Sequence, residues 1–259
     1  MTASDLIRAI EKIANPAWQA SWDKSGIQVA SPRQEVRQLG IFLDPVPGQI
    51  QRALDAGCDF LLSHHPLTLK PELPAALNSW YEALRLLMRA GVCLYAAHTS
   101  LDVNLAGPAG WLGRALGLSN IDILEPLPGH EGLGYGLIGD LGERLPVGRL
   151  VSDILGLAGV ECGNICGPEA PEACRRVAIC GGSGASLIRT AKARGADLYV
   201  TGDIKYHDAI ESEVLILDVG HHSLEEEMMR RLAARLASEL TDIHVNFFKS
   251  QPPFRRACQ

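Results

Sequence analysis

The stretch "ALDAGCDFLLSHH" (residues 53–65) contains the unit from which the fold of this chain can be built. A helix-compatible run ends at Gly57, the residue type that closes a helix in the left-handed conformation. The short apolar run that follows is too brief for a stable helix and reads as a buried strand. It ends on two adjacent histidines, His64 and His65, and turns at once into Pro66. A solvated loop has little use for such a pair, and a packed core has less.

The same order of signals surrounds this stretch. "QLGIFLD" (38–44) reads as a strand, "GQIQRALDAG" (48–57) as a helix, "SWYEALRLLMRAG" (79–91) as a helix and "VCLYAAH" (92–98) as a strand. The pattern returns as "RRVAICGG", "ASLIRTAKARG", "DLYVTGD" and "VLILDVG", before the long helical run "SLEEEMMRRLAARLASEL" (223–240). Strands alternating with helices predict βαβ units and a mostly parallel sheet. "AKARGADLYVTGD" (191–203) echoes the opening stretch closely enough to predict an internal duplication. The expected architecture is α/β: two related units with mixed, largely parallel sheets, spanning 1–124 and 125–259. The C-terminal helix is free to pack back on the first unit. The Gly- and Pro-rich segment around 125–175 reads as a junction with smaller strands.

Composition narrows the function classes. A formal net charge of −6 argues against a surface that tracks phosphates, so nucleic acid is a disfavoured partner. An aromatic share of 5% argues against a platform for stacked bases. No apolar run approaches the ~20 residues that span a bilayer, and the N-terminal "MTASDLIRAIEKIANPAW" has the period of an amphipathic helix rather than a signal peptide. Seven cysteines, several inside apolar runs, suit a reduced cytoplasmic protein. Cys162 and Cys166 alone approach a metal spacing, with no second pair to complete a zinc site.

The histidine pair has companions. "YAAHTSLDV" (95–103) ends a strand with His98 and places Asp102 four residues on, while "DVGHHSLEEE" (218–227) ends another with His221 and His222 and brings Glu225. Ser223 and Glu226 have the form of a capping box, which would start the helix there and put Glu225 in its first turn. In open α/β sheets, ligands gather at the carboxyl ends of strands. Three such ends carrying imidazole or carboxylate are what a two-metal site needs. Hydrogen-bonded loop histidines and a solvated first-turn acid are the plainer alternatives. Imidazole with carboxylate suits Zn, Mn, Fe or Ni better than Ca or Mg.

"SWDKSGIQVA", "DFLLSHHPL", "LYAAHTSLDV…WLGRALGL", "ICGGSGASLI", "ADLYVTGDIKYHDA" and "DVGHHSLEE" occur in that order. Together they resemble the YbgI-like, NIF-three-like dinuclear metal centre proteins, labelled GTP cyclohydrolase I type 2 homologues. The likeness covers nearly the whole chain, in the short form that has no inserted middle domain. The resemblance implies that His64, His65, Asp102, His221 and Glu225 hold two divalent metal ions, with His98 beside them. It also implies a ring-shaped homohexamer. "GHH" (220–222) departs from the "GHY" or "GHF" of many members, so His222 is either an extra ligand or an aromatic replacement.

Two motifs lie outside that set. "CGGSGAS" (180–186), with Gly182 and Ser183, would either cradle a substrate phosphate or form a tight turn demanded by packing. In "TGDIKYHDA" (201–209), Lys205 could hold a phosphate and His207 could act as general acid or base. His98 is the other candidate for proton transfer. Trp22 and Asp23 either line the cavity or shape their own turn. The function expected is a metal-dependent hydrolase of a small phosphorylated or nucleotide-like molecule. The alternative is a non-catalytic metal-binding or regulatory interaction protein.

Overall fold

The computed structural model describes residues 1–70 and 73–254, and the chain divides into two compact units. The first comprises Met1–Leu101 with Met229–Gln251, and the second comprises Asp102–Met228 with the chain from Pro252. Cys258 of the cysteine inventory lies outside the described residues.

The first unit opens with α1 (Ala3–Glu11), which buries Leu6 and Ile10 and is capped by the Thr2 hydroxyl. Its sheet runs in the order β1 (Gly26–Val29), β4 (Cys93–Ala96), β3 (Phe60–Ser63), β2 (Gln38–Phe42), β11 (His244–Phe247). Strands β4, β3, β2 and β11 are mutually parallel, and β1 is antiparallel at the edge. Every residue of β3 and β4 is buried, the pattern of strands covered on both faces. Helices α2 (Pro47–Asp55) and α3 (Ser79–Ala90) supply Ile50, Ala53, Ala83 and Leu87 to a core shared with Leu61 and Leu94. Gly57 and Gly91 adopt φ of 82° and 61° just beyond these helices, so both predicted stops hold. The short α4 (Thr99–Asp102) follows β4, and the division between the units falls inside it.

The second unit has its own sheet, in the order β5 (Ser119–Pro126), β6 (Gly134–Pro146), β8 (Ala173–Ser183), β9 (Leu198–Gly202), β10 (Leu215–Asp218), β7 (Asn164–Cys166). Its central β8, β9 and β10 are parallel, and the flanking pairings are antiparallel. The helices are α5 (Trp111–Ala115), α6 (Val147–Ala158), α7 (Ile188–Ala193), α8 (Tyr206–Ile210) and α9 (His221–Glu239), the last running on into the first unit's sequence. The β2–α2–β3 and β8–α7–β9 segments are the two copies that the sequence echo predicts. The architecture is therefore α/β with two mixed sheets whose centres are parallel.

The segment from 125 to 175 differs from its expected form as a junction with small strands. It does hold the short β7, but most of it forms the 13-residue β6, the 12-residue α6 and the start of β8. Gly129 and Gly132 do sit in a turn at positive φ, but Gly134 and Gly139 mark close strand approach: a Cβ on Gly134 would lie 2.3 Å from the Glu125 carbonyl oxygen, and one on Gly139 2.9 Å from the Ser119 carbonyl oxygen. No helix among the described residues is long and apolar enough to cross a membrane.

Candidate metal centre

In the first unit the parallel register sets Ser63 opposite Ala96, so His64, His65 and His98 leave neighbouring strand ends. Both His64 and His65 donate their backbone N–H to the Leu43 carbonyl, and the Ser63 hydroxyl donates to the carbonyl of His65. This turn lets two consecutive residues, which on a regular strand would face opposite ways, direct their rings to one place. The ring centroids of His64, His65 and His98 lie 4.9–5.5 Å apart. One candidate ligand atom from each lies within 4.8 Å of the other two.

Each ring is held from behind. His64, fully buried, places Nδ1 2.8 Å from the Ala97 carbonyl oxygen. His65 places Nδ1 2.6 Å from Asp44 Oδ1, and His98 places Nδ1 2.7 Å from Asp23 Oδ1. A carbonyl or carboxylate can only accept, so Nδ1 is the donor in all three and the neutral ring carries its lone pair on Nε2. This is the arrangement by which a metal-binding imidazole is fixed in orientation and tautomer. Burial by itself would raise the Asp23 pKa. The hydrogen bonds from His98 and Thr99, with the lesser help of the Lys24 N–H, outweigh it and hold the carboxyl well below the usual range.

In the second unit the helix α9 begins at His221, three residues earlier than the capping box predicts. Ser223 lies inside the helix, and its hydroxyl donates to the carbonyls of Val219 and Gly220. The earlier start puts His221 and Glu225 on one face, one turn apart. His221 Nε2 lies 2.7 Å from Glu225 Oε2, and its Nδ1 lies 2.7 Å from Asp203 Oδ2. Asp203 adopts a φ of 56°, a conformation costly for a non-glycine residue. Burial would lower the His221 pKa, but Glu225 first and then Asp203 push it up to about 9. A proton thus sits between imidazole and carboxylate where a cation could sit.

Gly182, at a φ of 64°, is pressed against this pair: an added Cβ would lie 2.4 Å from Glu225 Oε1. The neighbouring Cys180 thiol is pushed up to about 12 by burial and then by the charges of Asp102 and Glu225. His222 Nε2 lies 3.9 Å from Glu226 Oε2. Lys205, Tyr206 and His207 are exposed at the start of α8.

The family model of Duf34/NIF3 (NGG1p interacting factor 3) matches residues 1–253. The chain belongs to this family. Among Duf34/NIF3 relatives, a Lactococcus lactis protein named "GTP cyclohydrolase 1 type 2 homolog" is 30% identical, over 97% of this chain and 96% of its own. A solved structure titled for the protein ybgI, of unknown function, is 27% identical, with a TM-score of 0.85 over 98% of this chain and all of its own (100%). A Bacillus cereus protein related to NIF3 is similar in fold, with a TM-score of 0.90 at 21% identity over 99% of each chain.

In this Duf34/NIF3 chain the first unit carries a group of three donors that could bind a metal ion, and the second carries a paired imidazole and carboxylate. His64 and His65 are brought together with His98, and His221 with Glu225. The donor chemistry, imidazoles held at Nδ1 by a carboxylate or a backbone carbonyl, fits a divalent transition metal. Asp44 and Asp203 escaped the sequence reading, and Asp23 was seen only as a cavity or turn residue. Two of them stand where a signal exists: Asp44 and Asp203 end the apolar runs "QLGIFLD" and "DLYVTGD" at strand carboxyl ends.

Proposed function

We propose that this chain is a dinuclear metal-dependent hydrolase acting on a small phosphorylated or nucleotide-like substrate. The ligands in this reading are His64, His65, Asp102, His221 and Glu225, the set that the family resemblance implies. The observation that carries it is the common support of His64, His65 and His221: each has Nδ1 held by an acceptor at 2.6–2.8 Å, which directs Nε2 to an electrophile. The relatives' name, "GTP cyclohydrolase 1 type 2 homolog", supports a nucleotide-like substrate class. Zn, Fe, Mn and Ni all suit this donor set.

Bound divalent ions would supply Lewis acidity and lower the pKa of water. The chain's own residues do the rest. Lys205, exposed beside α8, holds substrate phosphate, and exposed Ser183 adds a hydroxyl. Gly182, buried against Glu225, seats the ligand carboxylate instead of touching substrate. Proton transfer falls to His207 or His98. A homohexamer, which the resemblance supports, and a cytoplasmic location, which the cysteine content supports, belong to the same reading.

The test is a substrate screen on metal-stripped protein. Phosphorylated compounds, GTP among them, are incubated with and without restored Zn, Mn, Fe or Ni, using Glu225→Ala as the control. Turnover that depends on metal and is lost in the variant is expected. Protein that binds metal but turns over none of the panel would leave the regulatory metal-binding reading in its place.

A further inference from the structure

The first unit carries, beside His98, an aromatic ring that the proposed chemistry does not use. Of the four tryptophans, all among the described residues, Trp22 alone is exposed, with 57% of its surface open. Trp111 is buried and donates its indole N–H to the Leu224 carbonyl, while Trp18 and Trp80 are half-buried. A lone exposed apolar side chain is common and by itself means little. What sets this one apart is its place. Its indole meets the His98 ring edgewise, with centroids 5.7 Å apart and planes at 75°. With more than half of its surface open, the indole still has a face on which another ring can stack.

The turn that carries Trp22 is tied down from several directions. The Asp23 N–H donates to the Ala20 carbonyl, and the Ala20 N–H donates to the Thr99 hydroxyl. Asp23 itself is 3% exposed and accepts from His98, from the N–H and hydroxyl of Thr99, and from the Ser25 hydroxyl. Further on, Gln28 Oε1 accepts the N–H of Leu67, two residues beyond His65. The segment is thus bound to both strand ends that bear histidines. An aromatic side chain on so fixed a backbone loses little freedom when a ligand covers it, so ordering offsets little of the stacking energy.

We propose that Trp22 stacks on the planar heteroaromatic ring of the substrate and so selects a nucleotide-like molecule over a sugar phosphate that lacks a base. The proposal rests on the phosphorylated, nucleotide-like substrate of the reading above and deepens it. One indole is no platform for a strand of bases, but it suffices for a single ring. A purine or similar nitrogen ring offers a flat π-face that ribose phosphate lacks. Stacked there, it is held one ring away from His98, a candidate proton carrier.

The experiment uses the full-length protein loaded with zinc and measures binding of GTP, GMP and ribose 5-phosphate by calorimetry. Wild type is expected to bind both nucleotides about tenfold or more tightly than ribose 5-phosphate. Trp22→Leu keeps an apolar side chain without an aromatic face. It is expected to weaken both nucleotides about 5–150-fold, the range of base–aromatic stacking, and to leave ribose 5-phosphate unchanged. Trp22→Phe, which keeps a ring, should recover most of that loss. Metal per chain, melting temperature and oligomeric state should be the same in all three proteins. Unchanged nucleotide affinity in Trp22→Leu overturns the proposal and leaves the hydrolase reading intact. So does a Trp22→Leu protein that loses metal or changes its oligomeric state, because the indole then serves the His98 ring or a neighbouring subunit. A wild type that binds none of the three compounds overturns the proposal together with the substrate class on which it rests.

Discussion

Asp59 and Asp197 make the same bonds in their respective units. Asp59 accepts the backbone N–H groups of Arg37 and Gln38, at separations of 22 and 21 residues, and Asp197 accepts those of Arg175 and Arg176 at the same separations. Each returns its own N–H to the second partner, Gln38 or Arg176. In both copies a carboxylate at the foot of one strand pins its parallel neighbour just before their pairing begins. This gives the sequence echo a physical meaning: the Gly–x–Asp of each copy fixes the strand register on which the donor-bearing ends depend.

Removing either carboxylate should therefore cost stability locally and equally. Asp59→Ala and Asp197→Ala are each expected to lose about 1.5–3 kcal/mol, the range for hydrogen bonds to a charged group. Denaturant melts of the two variants check this. A loss in one and none in the other would break the equivalence of the copies.

Gly182→Ala should act on the site rather than the fold. The left-handed φ and the 2.4 Å approach to Glu225 Oε1 leave no room for a methyl group, so the carboxylate must move. The backbone strain costs about 1–2 kcal/mol, but the expected signature is reduced metal content in a protein that still folds. Unaltered metal binding would show that Glu225 is not held by this contact.

Asp203→Gly should separate stability from metal affinity. Glycine accepts the φ of 56° without strain, so the melting temperature should hold or rise. His221 loses its Nδ1 partner at the same time, and metal affinity should fall about 10–100-fold. A competitive chelator titration beside a thermal melt measures both. Falling together, the two readouts would point to a structural role for Asp203 instead.

Metal uptake should be proton-linked through His221. Its pKa is about 9 in the metal-free fold, above the ordinary 6.5, with Glu225 the chief cause of the rise. The pair stabilises that fold fully below 6.5 and loses its contribution as pH rises through about 9. An ion taking Nε2 must displace the proton, so affinity should rise about tenfold per pH unit between pH 7 and 9 and then level off. A Glu225→Gln variant should show a flatter profile in the same titration.

The local pattern carried much of this protein. The glycine stops after α2, α3 and α7 were legible because each ends an amphipathic run, and Gly57, Gly91 and Gly195 all adopt positive φ. The buried strands β3, β4 and β9 were legible as short apolar runs. His64, His65, His98 and His221 were legible because they end such runs. What misled was composition read without its partner: Gly134 and Gly139 of β6 looked like loop residues, yet they let the neighbouring strand come close. Ser223 and Glu226 matched a capping box, yet the helix starts three residues further back and the hydroxyl turns to the Val219 carbonyl.

By itself the sequence determined which residues could be donors, on which strand ends they stand, and that one α/β unit occurs twice. Those properties follow from spacing along the chain, which fixes local conformation. Only the tertiary structure decided what stands behind each imidazole. Asp44 lies 21 residues from His65, Asp23 lies 75 from His98, and Asp203 lies 18 from His221. Such contacts depend on strand register and loop path, and no local periodicity encodes them.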